Sequence, residues 1–338
     1  MPVSPSPFAL VADIGGTNAR FALAQRTVGG GRAPLLAEVR QYKAAEFPAF
    51  ADALRQYREE AGAAAGVSHA VFAVATAILG DQVRLTNSPW RFSIEETRRA
   101  FGLSCLAVIN DFQAIGHAVP FLRPDALAPL GPGAPSLGAE QSAVAVLGPG
   151  TGLGACLLAV REGRPLIFPS EAGHIGFAPS DELEIEVLRV LRARHGRVSN
   201  ERIISGPGLS ALHDALAVVE GGQPPELPPE EITAAASAAP SGAESRTLRL
   251  FCSIYGGIAG DMVLALGAWD GVFLVGKLSR LLLPALREGG FRQRFEDKGR
   301  FGAAMRRVPC AVATTRRIGL LGAAVYAATA LGKVRKND

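Results

Sequence analysis

Apolar positions along this chain gather in short runs, and these alternate with stretches of helical periodicity. The run FALVA at 8–12 ends at Asp13 and a Gly-Gly pair, and RFALA follows at 20–24. Strand, glycine turn, strand predicts a hairpin. Apolar residues at helical spacing predict a helix over 47–61. A strand is expected at 70–75, with 82–85 as its partner across a turn at 79–81. A helix over 93–101 opens on Ser93 as N-cap with Glu96 three residues on, the pattern of a capping box, and ends at Gly102. The buried run 105–109 is a further strand that stops at Asn110 and Asp111, ahead of a helix over 112–119.

The second part of the chain repeats the opening theme. Residues 120–140, rich in Pro, Gly and Ala, form a loop or domain crossing. A strand at 143–147 leads into a second glycine turn and a strand at 155–160. The amphipathic stretch 181–195 predicts a helix, with Asp181 and Glu182 at its positive end and Arg192, Arg194 and His195 at its negative end. Gly196 stops it. Residues 221–245 are an exposed excursion holding one helix, 248–268 an apolar helix, 272–275 a strand ending at Gly276, and 320–331 an Ala-rich terminal helix after Gly319. Alternating strands and helices with interspersed hairpins predict an α/β protein with mixed sheets. Two similar halves, each opening with strand, Gly-rich turn and strand, would place both turns at one cleft.

The length of 338 residues exceeds the usual single domain, so two domains are expected. The net charge of +4 is mild and comes without a long basic run, which argues against nucleic acid as a partner. Four cysteines lie far apart in sequence in apolar surroundings, with no zinc spacing. They read as small buried hydrophobes in a reducing compartment. Residues 1–7 lack a basic n-region and an apolar core, and no stretch of membrane-spanning length is free of Gly or charge. A cytoplasmic protein with no membrane partner is expected.

Chemistry concentrates at the turns and strand ends. In Asp13-Ile14-Gly15-Gly16-Thr17-Asn18, Gly15 and Gly16 permit positive φ and let backbone N–H groups approach phosphate oxygens. Thr17 and Asn18 add side-chain donors, and Asp13 can hold Mg²⁺ or its water shell. Gly148-Pro149-Gly150-Thr151-Gly152-Leu153-Gly154 is neither a Walker A loop nor a dinucleotide fingerprint, because no Gly-Lys-Ser/Thr and no helix follow. Each turn alone is equally an ordinary hairpin; two in matching places favour phosphate. Asp111, at a strand end, is either a helix N-cap or a base for an attacking hydroxyl, and its local sequence favours the cap. Glu171-Ala172-Gly173-His174 and Ser199-Asn200-Glu201-Arg202 add two carboxylates, an imidazole and an amide able to grip sugar hydroxyls, which donate and accept, although alone His174 reads equally as a core histidine and Glu201 as a solvated surface acid. His69, His117, His195 and His213 lack supporting motifs and read as structural or surface groups.

Together the segments LVADIGGTNARFAL, LTNSPWRFSI, VINDFQAI, AVLGPGTGLGACLL, EAGHIGFAP, SNERIISGPGL, FEDKGRF and IGLLGAA cover residues 10 to about 324. In their order and content they resemble the bacterial glucokinase family of the hexokinase, actin and Hsp70 superfamily. The resemblance implies a two-domain, actin-like (ribonuclease H-like) α/β fold with mixed sheets flanked by helices and a cleft between domains. The expected domains are 1–120 with 317–338, and 121–316. It implies transfer of the ATP γ-phosphate to the 6-hydroxyl of glucose, with ATP and Mg²⁺ as the cofactor pair and a homodimer as the assembly. Residue by residue, it makes Asp111 the catalytic base. It assigns Asn110, Glu171, His174 and Glu201 to the sugar. It assigns Asp13, Gly15, Gly16, Thr17, Asn18, Gly150, Thr151, Gly152 and Gly276 to the nucleotide, with Asp13 also facing the metal.

The chain departs from the family pattern at two positions. A second glycine is usual after the strand 272–275, where this chain has Lys277. At a positive φ a lysine would be strained, and its side chain must either swing away or reach a phosphate. Ala77 stands where a proline is usual, which would loosen the loop ahead of Gly80 and Asp81. The alternatives are a kinase for another hexose or amino sugar and a catalytically silent sugar sensor. With only about nine residues ahead of the first loop, an N-terminal helix-turn-helix of a sugar-responsive repressor is not expected.

Overall fold

The computed structural model describes residues 6–26, 33–85, 88–138, 140–288 and 290–330. Residues 86–87 of the LTNSPWRFSI segment, residues 1–5 of the N-terminal stretch and position 331 of the expected last helix lie outside them. Contacts divide the chain into two compact units, one drawn from Met1–Leu122 with Arg317–Asp338 and the other from Arg123–Arg316.

In the first unit, β1 (Phe8–Ile14), β2 (Asn18–Gln25), β3 (Leu36–Lys43), β4 (His69–Val74) and β7 (Cys105–Asn110) make one sheet in the order β3-β2-β1-β4-β7. The β1–β2 and β2–β3 pairs are antiparallel, whereas β1–β4 and β4–β7 are parallel. Period-2 alternation sorts β1 between two layers. Leu10, Ala12 and Ile14 pack with Phe50, Leu54 and Tyr57 of α1 (Phe50–Glu60). Ala9 and Val11 pack with Leu320, Ala323 and Ala324 of the last helix, Ile318–Thr329.

The strand at 82–85 does not pair with 70–75 as expected. It forms β5 (Gln82–Arg84), antiparallel to β6 (Arg91–Ser93), in a separate two-stranded sheet. The reason lies in β4, which already has β1 on one side and β7 on the other. Its side chains are all buried, so no edge is left to take a third neighbour. Helix α2 (Ile94–Ala100) opens as expected, with Ser93 Oγ accepting from Glu96 N at 3.0 Å.

The second unit repeats the arrangement. Strands β8 (Leu127–Pro129), β9 (Gln141–Pro149), β10 (Leu153–Arg161), β11 (Arg164–Ser170), β12 (Gly271–Leu274) and β13 (Cys310–Ala313) lie in the order β11-β10-β9-β12-β13-β8. The β9–β10–β11 meander is antiparallel, and β12 runs parallel to both β9 and β13. The first five positions therefore match those of the first unit. β8 is an addition inside the stretch expected to be loop.

Helix α3 (Asp111–Ala118) belongs to the first unit; α4 (Glu182–His195), α5 (Gly206–Val219), α6 (Pro229–Ala238) and α7 (Ala243–Leu266) belong to the second. α7 is long and apolar enough to cross a bilayer, yet two-thirds of its apolar window is buried within the fold. Its Phe251, Tyr255 and Ile258 belong to the core, and Gly256 and Gly260 bring it into backbone contact with Phe291 and Phe295. Lys298 of the FEDKGRF segment pairs with Asp261 at 2.6 Å and donates to Gly257 O at 2.9 Å, so that motif fastens α7. Cys156, Cys252 and Cys310 are buried and Cys105 is half-buried, all as free thiols. Burial pushes the Cys252 and Cys310 thiols up to about 12.

Candidate functional site

The first glycine turn joins β1 to β2, closed by Gly15 N donating to Asn18 O at 2.9 Å. Hairpin register sets Asp13 opposite Arg20. Arg20 Nη1 lies 3.1 Å from Asp13 Oδ2, and Arg20 Nε donates to Gln41 Oε1 at 2.9 Å. Gln41 Nε2 in turn donates to Asn18 Oδ1 at 3.1 Å, and Asn18 Nδ2 to Thr17 Oγ1 at 2.9 Å. One chain of hydrogen bonds thus orients Asp13, Thr17 and Asn18. Burial pushes the Asp13 carboxyl above its ordinary value, and the charge of Arg20 opposes that push. Sequence reasoning missed Arg20 and Gln41. Arg20 lies inside the NARFAL segment, but only strand pairing shows what it faces.

None of Gly15, Gly16, Gly150 and Gly152 takes a positive φ, so the freedom that glycine permits is not used at these positions. In the second turn their value is space. A Cβ at Gly150 would meet nothing, leaving that face of the turn open to a ligand. A Cβ at Gly152 would collide with Glu201 Oε2 and sit 2.9 Å from its Cδ. The residue that does need a left-handed backbone is Gly276, at φ +94°. It follows β12 and faces Pro149 O of the second turn, while Val275 N donates to Leu147 O at 2.8 Å. Lys277 is therefore not strained: it lies in the first turn of the short helix Gly276–Leu281 and is exposed.

At the end of β7 the expected cap is exchanged. Asn110, not Asp111, is the N-cap of α3, its Oδ1 accepting from Phe112 N at 2.8 Å and Gln113 N at 3.1 Å. Its Nδ2 donates to Thr76 O at 3.3 Å, tying β7 to the loop that contains Ala77. Asp111 is the first residue of the helix and is half-buried; its Oδ1 accepts from Phe112 N at 2.9 Å.

The second unit brings its turn together with Glu171, His174 and Glu201. Glu171 and His174 are exposed, with His174 Nε2 3.8 Å from Glu171 Oε2. Between them Gly173 is packed so closely on Leu153 O that a Cβ would collide with it. Asn200 N donates to Ile175 O at 2.9 Å and Arg197 Nη2 to His174 O at 2.7 Å, so the two polar segments are stitched together. Glu201 Oε2 accepts from Leu153 N at 2.9 Å, and Gly206 N donates to Gly150 O at 2.8 Å. Thr151 projects from the exposed tip of the turn. Among the described residues, no three His, Cys, Asp or Glu side chains cluster as a protein metal cage.

Three of the four histidines set aside on sequence grounds have structural surroundings. His213 is buried with Nδ1 2.8 Å from Thr247 Oγ1, His69 is buried beside Ser68, and His117 meets Tyr326 edge-on at 5.2 Å.

These arrangements have relatives of known kind. The sequence model of the Glucokinase family matches residues 10–330. A glucokinase of Stenotrophomonas maltophilia is 48% identical over 324 residues, covering 95% of each chain. One of Xanthomonas campestris pv. campestris is 47% identical over 330 residues, covering 97% of each. The crystal structure of a glucokinase from an Antarctic psychrotroph is 36% identical and superposes with a TM-score of 0.81 over 94% of this chain and 98% of that one. With a family match spanning nearly its whole length, and with the mixed α/β fold of the actin-like sugar kinases, this chain belongs to the glucokinase family.

Proposed function

We propose that the protein is a glucokinase that transfers the γ-phosphoryl group of ATP to the 6-hydroxyl of glucose, giving glucose 6-phosphate and ADP. The observation that carries the chemical assignment is the exchange of roles at the end of β7. Because Asn110 caps α3, the Asp111 carboxylate is not needed as the cap. Asp111 then orients the sugar hydroxyl and takes its proton as the oxygen attacks phosphorus. Asn110, Glu171, His174 and Glu201 hydrogen-bond the other hydroxyls, combining amide, carboxylate and imidazole in a set that matches groups which both donate and accept.

The two turns hold the nucleotide. Gly15 N and Gly150 N close their own turns on Asn18 O and Gly152 O, so the donors offered to the phosphates are the backbone N–H groups of Gly16 and Gly152 with Thr17, Asn18 and Thr151, while Gly15 and Gly150 shape the turns and Gly276 lies beside the second. The donor set of the first turn fits Mg²⁺: one hard carboxylate, Asp13, oriented by Arg20, suits an ion that is otherwise held by phosphate oxygens and water. When bound, the ion neutralises charge on the phosphate chain. The family resemblance further supports a cytoplasmic homodimer acting at the entry of glycolysis.

Replacing Asp111 tests the assignment of the base. Asp111→Ala is expected to lower kcat by about 10³-fold, within the range for loss of a positioned base, while glucose binding measured by calorimetry survives. Near-normal turnover in that variant would reject Asp111 as the base.

A further inference from the structure

Glu201 stands at the junction of the two functions proposed for the second unit. Its backbone is pinned: Ser205 Oγ donates to Glu201 O at 2.8 Å, and Asn200 O accepts from Ile203 N and Ile204 N at 3.1 and 2.7 Å. Its carboxylate lies against the bare Cα of Gly152, with Oε2 accepting from Leu153 N at 2.9 Å. One segment thus braces the second turn at both ends, through Gly206 N on Gly150 O and through Glu201 on Leu153 N. The other carboxylate oxygen, Oε1, makes no hydrogen bond among the described residues, and the side chain is only partly buried. A carboxylate has lone pairs enough for both tasks, whereas an amide has a single oxygen.

We propose that Glu201 is a positioning residue that couples the sugar to the phosphate turn: Oε1 receives a sugar hydroxyl while Oε2 holds Leu153 N–H. This rests on the sugar and phosphate assignments of the preceding section. A sugar hydroxyl on Oε1 fixes the carboxylate in the rotamer that braces the turn, so the nucleotide meets a turn whose ordering cost has already been met. By linkage the effect is reciprocal, with nucleotide tightening sugar by the same factor. Gly152 is part of the device, because any side chain there would displace the carboxylate from Leu153 N.

The test is calorimetric titration of a non-hydrolysable ATP analogue with Mg²⁺, with and without saturating glucose, after a titration with glucose alone. Glucose is expected to tighten the analogue about five-fold or more in the unaltered protein, and by less than about two-fold in Glu201→Gln and in Gly152→Ala. Gly152→Ala keeps the charge of Glu201 but displaces it from Leu153 N; because Gly152 also belongs to the phosphate turn, this variant is read by the ratio of analogue affinities with and without glucose and not by either affinity alone. Glucose binding without coupling in the unaltered protein overturns the inference. So do variants that weaken each ligand singly yet keep the original coupling factor, since a merely structural brace would behave that way. Failure of the unaltered protein to bind glucose at all overturns the sugar assignment itself.

Discussion

Asn110 and Asp111 are adjacent, similar in size and both good N-caps, so the local sequence does not say which one caps α3. The structure gives the task to Asn110, whose Oδ1 takes two amide protons, and sets Asp111 one position into the helix. The glycines show a similar limit. The positive φ that Gly15 and Gly16 permit is not used, and the demand at Gly152 is for room beside Glu201, which no local pattern encodes. His117 illustrates what burial does to a group outside the proposed chemistry: it lowers the imidazole's pKa to about 4. An unfolded histidine titrates near ~6.5, so between those values the unfolded chain binds more protons and stability falls as pH is lowered. Between pH 7 and pH 5 this group is expected to cost roughly 2 kcal/mol of stability. Urea unfolding at the two pH values should show a smaller acid loss in His117→Phe, which keeps an aromatic ring against Tyr326.

At the scale of elements, the position of Asp111 depends on how α3 is seated. Gly322 of the last helix lies directly against Ala114 O, and a Cβ there would collide with that oxygen and sit 3.1 Å from Ile115 N. Gly322→Val must push the two helices apart. It is expected to destabilise the protein by about 1–3 kcal/mol, as overpacking does, and to lower kcat by shifting Asp111; thermal melts and steady-state rates measure the two effects. Elements with one clearly buried face were legible from their pattern: β1, β2, β9, β10 and α4 all stand where periodicity put them. Elements without that contrast were not. β11 is largely exposed, carries Pro165 and Pro169, and forms an edge, where prolines are tolerated and alternation is weak. β3 is likewise an edge strand with few buried positions. The misassigned partner of β4 failed for a non-local reason: its neighbours come from 8–14 and 105–110 in the sequence, and no local window contains them.

At the scale of the molecule, the same strand order appears twice, and each copy begins with a hairpin whose turn is polar and glycine-rich. The repetition was visible in sequence because both hairpins opened on apolar runs of the same kind. What each copy adds was visible only as scattered motifs: Asn110 and Asp111 on the first, Glu171, His174 and Glu201 on the second. A ligand that binds the folded protein stabilises it by mass action, so glucose at about 100 times its Kd should add about 2.7 kcal/mol to unfolding. A rise in Tm with glucose, and none with mannitol at equal concentration, would register specific binding by the intact chain.

The identity of the reaction is open to one direct measurement: the purified protein, incubated with ATP and Mg²⁺ and each of glucose, mannose, fructose and N-acetylglucosamine, with sugar phosphate and ADP both quantified. Glucose 6-phosphate should appear in equal amount to ADP, with kcat/KM for glucose about ten-fold or more above that for any other sugar, as hydrogen-bonded recognition of hydroxyls predicts. ADP release without sugar phosphate, or a clear preference for another sugar, would contradict the account.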